Sequence, residues 1–336
     1  MRLLVYEFIT GGGMLGEPLP DSLKRQGELM RGALFRDLAE LTEVAATIAC
    51  DSRCVPAARP AVTIIIADHA HETGDEFFQR AYVASDMVWP IAPETDCVLE
   101  RLSSAVRQAG KLVLASDAAT LACAASKRAT QRVLNAAGIA AVPTFSAADE
   151  WPDIPGPWVV KPDDGAGALG IGLEANQEAA LQAVRATAAY SWVAQPWLAG
   201  ETLSLSMLCS KGRGLLLAVN RQHIILNNGN VKLAGVTVNA LARTSPPFTQ
   251  LAEDIAAVLP GLWGYVGVDL ILKADGTLTV LEINPRLTTS YCGLRDALGI
   301  NVAKLVLDLV QYGRLPAVVP TCDQPIRIEL STSHAK

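Results

Sequence analysis

Long hydrophobic runs are missing from this 336-residue chain. Its most apolar stretches, such as Val62–Ala67 and Leu215–Val219, are strand-sized, whereas a membrane span needs about 20 apolar residues. That excludes a membrane-spanning protein. An excess of positive charge is missing too. Lys+Arg number 28 against 34 Asp+Glu, a net charge of −6, which is the wrong sign for a partner of nucleic-acid phosphates. The apolar run Leu3-Leu4-Val5-Tyr6 stops at Glu7, short of the about 7–15 residues in a secretory leader's core. There is no Cys-x-x-Cys, and the seven cysteines are an odd number. The nearest pair, Cys50 and Cys54, has no histidine beside it. A disulfide scaffold and a zinc site are therefore disfavoured, and reduced, mostly buried thiols of a cytoplasmic protein are expected. A Walker A loop is absent, because no Gly-Lys-Ser/Thr follows either glycine-rich segment. The four histidines, His69, His71, His223 and His334, are not arranged as the base of a nucleophile.

What is present is a core. Half of the residues are hydrophobic and 18% are charged, so the chain can bury enough apolar surface to offset its ordering entropy. Its length allows two or three domains. Residues 1–115 alternate short apolar runs with stretches of helical period. Leu3–Tyr6, Val44–Ala49, Val62–Ala67, Met87–Trp89 and Leu112–Leu114 read as strands, and Ser22–Glu40, Asp75–Ala84 and Thr95–Ala109 as amphipathic helices. Apolar strands separated by helices predict an open α/β domain with a parallel sheet covered on both faces. A second region, 116–190, holds a helix capped by Ser126 and stopped by Gly138, a strand at Trp158–Lys161, a glycine-dense loop and a helix from Gln177 to Thr187. Asp149–Pro157 reads as a loop. The third region, 191–336, is mostly antiparallel strands with helices near its end.

Two segments match Gly-x-Gly-x-x-Gly. The first, Gly11-Gly12-Gly13-Met14-Leu15-Gly16, is followed by Pro18 and Pro20, so no helix N-terminus meets a phosphate there and a dinucleotide fingerprint is disfavoured. A substrate-facing loop at the carboxyl edge of the sheet and a plain turn remain open. The second, Gly165-Ala166-Gly167-Ala168-Leu169-Gly170, follows Lys161-Pro162-Asp163-Asp164 and precedes a returning strand at Ile171-Gly172-Leu173. Such a turn can fold over phosphates through its backbone N–H groups, and Lys161 supplies a point charge. A flexible hairpin with a surface lysine is the plain alternative.

The sharpest local signal is the pair of β runs on either side of Asp275-Gly276, a strong hairpin signature. A two-residue turn pairing Ala274 with Thr277 sets Asp269 directly opposite Glu282. Asn284 shares their face, while Val268, Leu270, Leu281 and Ile283 face a core. Opposed carboxylates repel unless a divalent cation lies between them. Two acids and an amide are hard oxygen ligands suited to Mg²⁺; an exposed acidic strand face is the competing possibility.

Taken in order, these residues resemble the ATP-grasp superfamily of carboxylate–amine ligases. Within it, Glu7-Phe8-Ile9-Thr10-Gly11-Gly12-Gly13, Lys161-Pro162-Asp163-Asp164-Gly165, Asn220-Arg221-Gln222 and Glu282–Ser290 are most similar to the tyramine–glutamate ligases of methanofuran and methylofuran biosynthesis. The resemblance implies a pre-ATP-grasp domain at 1–115, a central subdomain with the glycine-rich loop at 116–190, and a C-terminal subdomain with the metal site at 191–336. It implies that Lys127 and Lys161 contact the α- and β-phosphates of ATP. Gly165, Gly167 and Gly170 would close over the β- and γ-phosphates, Gln195-Pro196-Trp197-Leu198 would form the adenine hinge, and Glu201 would bind ribose. Asp269, Glu282 and Asn284 would hold Mg²⁺, with Mn²⁺ as a substitute.

The implied chemistry joins an acid to an amine through an acyl phosphate, with Arg286 clamping the transferring phosphoryl group or the tetrahedral oxyanion. Arg221 follows the apolar run Leu215–Asn220, which reads as a buried strand, and an arginine ending such a strand needs an anion or water. It is the candidate fork for the substrate's second carboxylate. Glu7, with Gly12 and Gly13 beside it, would bind the amine, and Thr288, Thr289 and Tyr291 would line the acceptor side; core roles are equally open for these. The expected partners are an amino acid and a tyramine- or tyrosine-like amine, with no nucleic acid and no membrane, and a homodimer is an open option. Competing readings are a ligase of other amino acids or amines, a nucleotide-binding regulatory protein without turnover, and a dinucleotide-dependent oxidoreductase. The intact Asp269, Glu282, Asn284 and Arg286 set argues against the regulatory reading.

Overall fold

The computed structural model describes residues 1–56, 62–165, 170–187, 191–227 and 230–330. Strands β1 (Arg2–Glu7), β2 (Ala45–Cys50), β3 (Thr63–Ile66), β4 (Met87–Ile91) and β5 (Leu112–Val113) form a parallel sheet in the order β3-β2-β1-β4-β5. The continuous apolar runs make this possible, since both faces are covered. Helices α1 (Asp21–Leu38), α2 (Gly74–Tyr82) and α3 (Val98–Gln108) follow β1, β3 and β4. On one face Phe77, Phe78, Leu99 and Leu102 of α2 and α3 pack on Leu4, Tyr6 and Val88. On the other, Leu34 and Leu38 of α1 pack on Leu3 and Val5.

The helix expected over Thr95–Ala109 is broken at its start. A 3₁₀ turn, Thr95–Cys97, precedes α3, and Asp96 and Cys97 both adopt a left-handed φ of 53°. That conformation costs a side-chain-bearing residue energy, and it turns the chain sharply where β4 ends.

The second region supplies α4 (Ala118–Ala125) and α5 (Lys127–Ala136). The Ser126 hydroxyl accepts the Ala129 N–H and caps α5, and Gly138, at φ +79°, ends the connection as its sequence predicts. Next come β6 (Trp158–Pro162), β7 (Gly172–Glu174), α6 (Gln177–Ala186) and β8 (Trp192–Pro196). The third region contains β9 (Glu201–Ser210), β10 (Arg213–Asn227), β11 (Asn230–Leu241), α7 (Pro246–Val258), β12 (Gly264–Leu272), β13 (Leu278–Asn284), α8 (Tyr291–Leu298), α9 (Val302–Tyr312) and β14 (Ile326–Glu329). Their sheet runs β13-β12-β9-β10-β11-β7-β6-β8, with β14 added on β11. The boundary at 190/191 therefore falls inside one hydrogen-bonded sheet: β8, just past it, pairs with β6, and Asn230 of β11 pairs with Gly172 of β7. One face, with Leu203, Leu205, Val266 and Val268, packs on Leu251 and Ile255 of α7. Among the described residues no helix is long and apolar enough to cross a membrane.

Candidate active site

The hairpin β12–β13 brings Asp269 opposite Glu282 and Gly267 opposite Asn284, as the sequence predicts. The route differs from the expected one. The turn is not the two-residue one that pairs Ala274 with Thr277. Lys273 donates its N–H to Thr277 O at 3.0 Å, leaving a three-residue loop. A bulge then places Leu270 opposite Val280. The longer loop shifts the register by one residue, and the extra residue at the bulge shifts it back. The bulge also exchanges two side chains. Val280, not Leu281, enters the core, and Leu281 lines the cavity in front of the sheet.

That cavity, about 270 Å³, is bounded by the central and C-terminal regions and by α1. Lys127, Lys161, Gly165, Gln195, Pro196, Trp197 and Leu198 line it on one side; Asp269, Glu282, Asn284, Arg286, Thr288 and Thr289 line it on the other. Helix α5 starts with Lys127, whose Nζ donates to Asp163 O at 3.2 Å and Gly165 O at 2.7 Å and lies 3.5 Å from Glu282 Oε2. The root of the glycine-rich loop is thereby tied to the carboxylate pair. The same root is held from the first domain. Thr95 Oγ1 donates to Asp164 O at 3.1 Å, and the Asp96 N–H to Asp164 Oδ2 at 2.9 Å.

Charges within the cavity set one another's protonation. Enclosure by protein, and then Glu282 opposite, raise the Asp269 carboxyl well above its ordinary value. Enclosure acts upward on Glu282 also, but Lys127 and Lys161 outweigh it and hold Glu282 below the usual range. Burial lowers Lys161 to about 8, with Glu282 pulling the other way. Burial acts to lower Arg286 too, but the Glu94 carboxylate outweighs it and raises the guanidinium. Glu94 takes Arg286 in a fork, Nε to Oε1 at 3.0 Å and Nη2 to Oε2 at 2.8 Å.

The donor set fits a divalent cation. Among the described residues no three His, Cys, Asp or Glu side chains gather as a metal cluster, but two opposed carboxylates and the Asn284 amide meet in the cavity. Their mutual repulsion is what a cation would relieve. At present two amides partly offset it, Gln222 Nε2 donating to Asp269 Oδ1 at 2.8 Å and Asn284 Nδ2 to Oδ2 at 3.3 Å.

Several expected residues lie elsewhere. Arg221 does not end its strand, because β10 runs on to Asn227. Its guanidinium pairs with Glu201, and neither lines the cavity. Strand alternation explains this: Thr202 and Gln222, next in sequence, are the ones facing the cavity. Glu7 is 3% exposed, and its carboxylate is taken up by its own turn, from Thr10 N at 2.7 Å, Thr10 Oγ1 at 2.6 Å and Ile9 N at 3.3 Å. Gly12 and Gly13 are the tight parts of that turn. A Cβ on Gly12, at φ +97°, would lie 2.6 Å from the Phe77 ring, and one on Gly13 2.2 Å from Phe8. Gly12 and Gly13 are thus packed turn residues, and neither lines the cavity. Tyr291 is a core residue whose hydroxyl donates to Asp37 at 2.5 Å. Gly170 has a φ of +70° and packs near Pro162 and Trp192, outside the cavity wall. Gly167 lies outside the described residues. The sequence reading missed Glu94, Ser204, Gln222 and Ser290, and also Gln26 and Met30 of α1, which line the cavity from the first domain. Alternation along β10 could have revealed Gln222 beside Arg221.

Comparison with known proteins agrees with this fold. A family described as the pre ATP-grasp 3 domain matches residues 44–121, and the ATP-grasp domain family matches 124–290. Tyramine–L-glutamate ligases of Methanocaldococcus jannaschii and Methanocaldococcus fervens are 34% and 33% identical to this chain over 105 residues, 31% of this chain and 32% and 34% of theirs. The match thus spans about a third of those curated relatives. An ATP-grasp superfamily protein from Archaeoglobus fulgidus superposes with a TM-score of 0.71 at 22% identity, covering 98% of this chain and 92% of that one. N5-carboxyaminoimidazole synthetase of Staphylococcus aureus, solved with ADP, gives 0.69 at 15%, covering 97% and 81%. An L-amino acid ligase from Bacillus licheniformis gives 0.65 at 16%, covering 92% and 73%. These structural likenesses speak for the fold alone. With both family domains following one another along it, the chain belongs to the ATP-grasp superfamily.

Proposed function

We propose that the protein is an ATP- and Mg²⁺-dependent carboxylate–amine ligase. In its finer form, it joins the side-chain carboxylate of glutamate to tyramine or a tyrosine-like aromatic amine, in the synthesis of a methanofuran-type cofactor. The observation that carries the ligase reading is the meeting of Asp269 and Glu282 with Lys127, Lys161 and Arg286 in one cavity. The tyramine and glutamate assignment leans on the two curated relatives. The seven free cysteines fit a reducing, cytoplasmic setting.

The chemistry follows in two steps. A carboxylate oxygen of the acid attacks the γ-phosphorus of ATP, the bond to the bridging oxygen breaks, and ADP leaves. The amine nitrogen then attacks the acyl carbon, phosphate departs, and the nitrogen loses a proton. Gln195–Leu198 would bracket the adenine, and Lys127 and Lys161 would neutralise phosphate oxygens. Asp269, Glu282 and the Asn284 amide would hold Mg²⁺, which supplies further neutralisation of phosphate charge. Arg286 offers N–H donors to the oxygens that gain charge, and Glu94 fixes its plane.

A release assay tests this reading. ADP is measured with pairs of amino acids and aromatic amines, and product mass is determined. A glutamyl amide of tyramine is the expected product. No ADP release with any acid and amine pair would overturn the ligase reading, and release with a different pair would overturn the substrate assignment.

A further inference from the structure

A chain of hydrogen bonds lies beneath the cavity floor, with Asn220 of β10 at its head. Asn220 is fully buried, and its Oδ1 accepts the backbone N–H of Asn239 at 3.1 Å. A backbone N–H can only donate, so the amide's orientation is fixed. Asn239 reaches this place because the β10–β11 register slips between Val219 and Arg221. Its φ is 55°, in the left-handed region, and its side chain is held by Asp323 Oδ1 at 2.6 Å. The Asn220 Nδ2 group therefore faces the other way, donating one hydrogen to Ser206 Oγ at 3.0 Å and the other to Ser204, whose backbone O and Oγ lie at 3.2 and 3.3 Å.

The direction of the longer arm follows. Ser206 is fully buried, and its one other side-chain partner among the described residues is the Tyr265 hydroxyl at 2.9 Å. Having accepted from Asn220, Ser206 sends its own proton to Tyr265. Tyr265 has one further partner there, Thr288 Oγ1 at 3.1 Å, and sends its proton on. Thr288 thus accepts from below, and its own O–H is left for the cavity it lines. Gly267 makes the space, since a Cβ there would lie 2.6 Å from Thr288 Cγ2. The second arm is shorter. Ser204, whose backbone O and Oγ share the second Asn220 hydrogen, lies 3.4 Å from Ser290 Oγ, and both line the cavity. Whichever of the two donates to the other, one O–H remains for the cavity.

We infer that this end of the cavity is a carboxylate subsite. The Thr288 hydroxyl and the Ser204–Ser290 pair donate to oxygens of the acid substrate's carboxylate, near the Arg286 cation, and Asn220 is the positioning residue that fixes the direction of the arm ending at Thr288. The inference rests on the ligase reading and gives it a carboxylate anchor in place of Arg221. Hydroxyl donors aimed by buried partners bind a carboxylate well, because their orientation is settled before the ligand arrives.

Calorimetry tests it. L-glutamate, glutarate and acetate are titrated into the protein saturated with ADP and Mg²⁺. Thr288→Val keeps the shape and removes one donor, and should weaken acid binding by about 10- to 100-fold while ADP affinity stays within about twofold. Ser290→Ala should act in the same direction. Asn220→Asp keeps the size but replaces donors by acceptors; at about pH 8, where a carboxylate is ionised, the arm ending at Thr288 reverses and acid affinity should fall at least as far as in Thr288→Val. If that variant does not fold, Tyr265→Phe, which cuts one arm, carries the same split between acid and ADP affinity. A merely structural network would lower the melting temperature without that split. Unchanged acid affinity in Thr288→Val and Ser290→Ala overturns the inference. So does an equal loss of ADP affinity, which would assign the hydroxyls to phosphate, and so does a wild type that binds none of the three acids. A wild type that binds acid but releases no ADP with any amine would overturn the ligase reading and leave the subsite standing.

Discussion

Glu7 and Glu282 each stand near the carboxyl end of an apolar strand, and their surroundings could hardly differ more. Glu7 is enclosed by donors from its own turn, three N–H and O–H groups within two and three residues. Glu282 faces another carboxylate across the hairpin, with two lysines beyond it. The first environment is complete and leaves nothing for a ligand. The second holds an internal conflict that only a further charge resolves. An enclosed acid marks a site when its neighbours are in conflict, not merely because it is enclosed.

The contrast can be broken by substitution. The largest effect is expected for Glu282→Gln. ADP release at saturating Mg²⁺ should fall by roughly three orders of magnitude, because the cation loses a charged ligand; activity within tenfold of wild type would remove Glu282 from the metal site. Lys161→Ala should weaken ATP binding by about 1.5–3 kcal/mol. Since Lys161 titrates near 8, ATP affinity of the wild type should decline as pH rises through that value, and the variant should show a flatter profile. Calorimetry from neutral to alkaline pH checks both.

Glu7→Gln should cost about 1–3 kcal/mol of stability in denaturant unfolding, since an amide N–H₂ would meet backbone donors. It should leave every KM unaltered, and a selective rise in the amine KM would return Glu7 to the site. Asp269→Asn should do the reverse in Mg²⁺-free protein. The raised Asp269 carboxyl contributes stability that is complete below its unfolded value near 4 and is lost as pH climbs through the folded value. The variant should therefore be more stable than wild type at alkaline pH, by about 1 kcal/mol, and equally stable below about pH 4. A lower melting temperature at every pH would show that the two carboxylates do not repel. The smallest effect is expected for Arg221→Lys. Steady-state kinetics should give KM values within about twofold of wild type, since the side chain pairs with Glu201 outside the cavity.

Local patterns carried most of what was legible in the sequence. Period and capping located the strands of the parallel sheet and the Ser126 cap, and the hairpin placed Asp269 against Glu282. The register survived a wrong turn type because a bulge near Leu281 cancelled the longer loop. The far side of a strand was less legible. The apolar run before Arg221 points to that residue, whereas face alternation assigns the cavity to Gln222. Glu94 was out of reach for another reason. Its bond to Arg286 joins residues 192 apart in sequence, and no local pattern encodes such a pairing.

The core beneath α1 has a consequence for synthesis. Leu3, Val5 and Leu34 share one apolar cluster with Leu294, Leu298, Val302 and Val306 of α8 and α9. A chain leaving the ribosome at about 5–20 residues per second therefore completes its first sheet long before the helices that close over it exist. Through that interval the apolar cluster shared with α8 and α9 stays partly uncovered, a surface on which a nascent chain can stick to its neighbours or be held by a chaperone. Chains stalled before residue 291 should accordingly be protease-sensitive in their first domain, and release of the last helices should protect residues made at the very start.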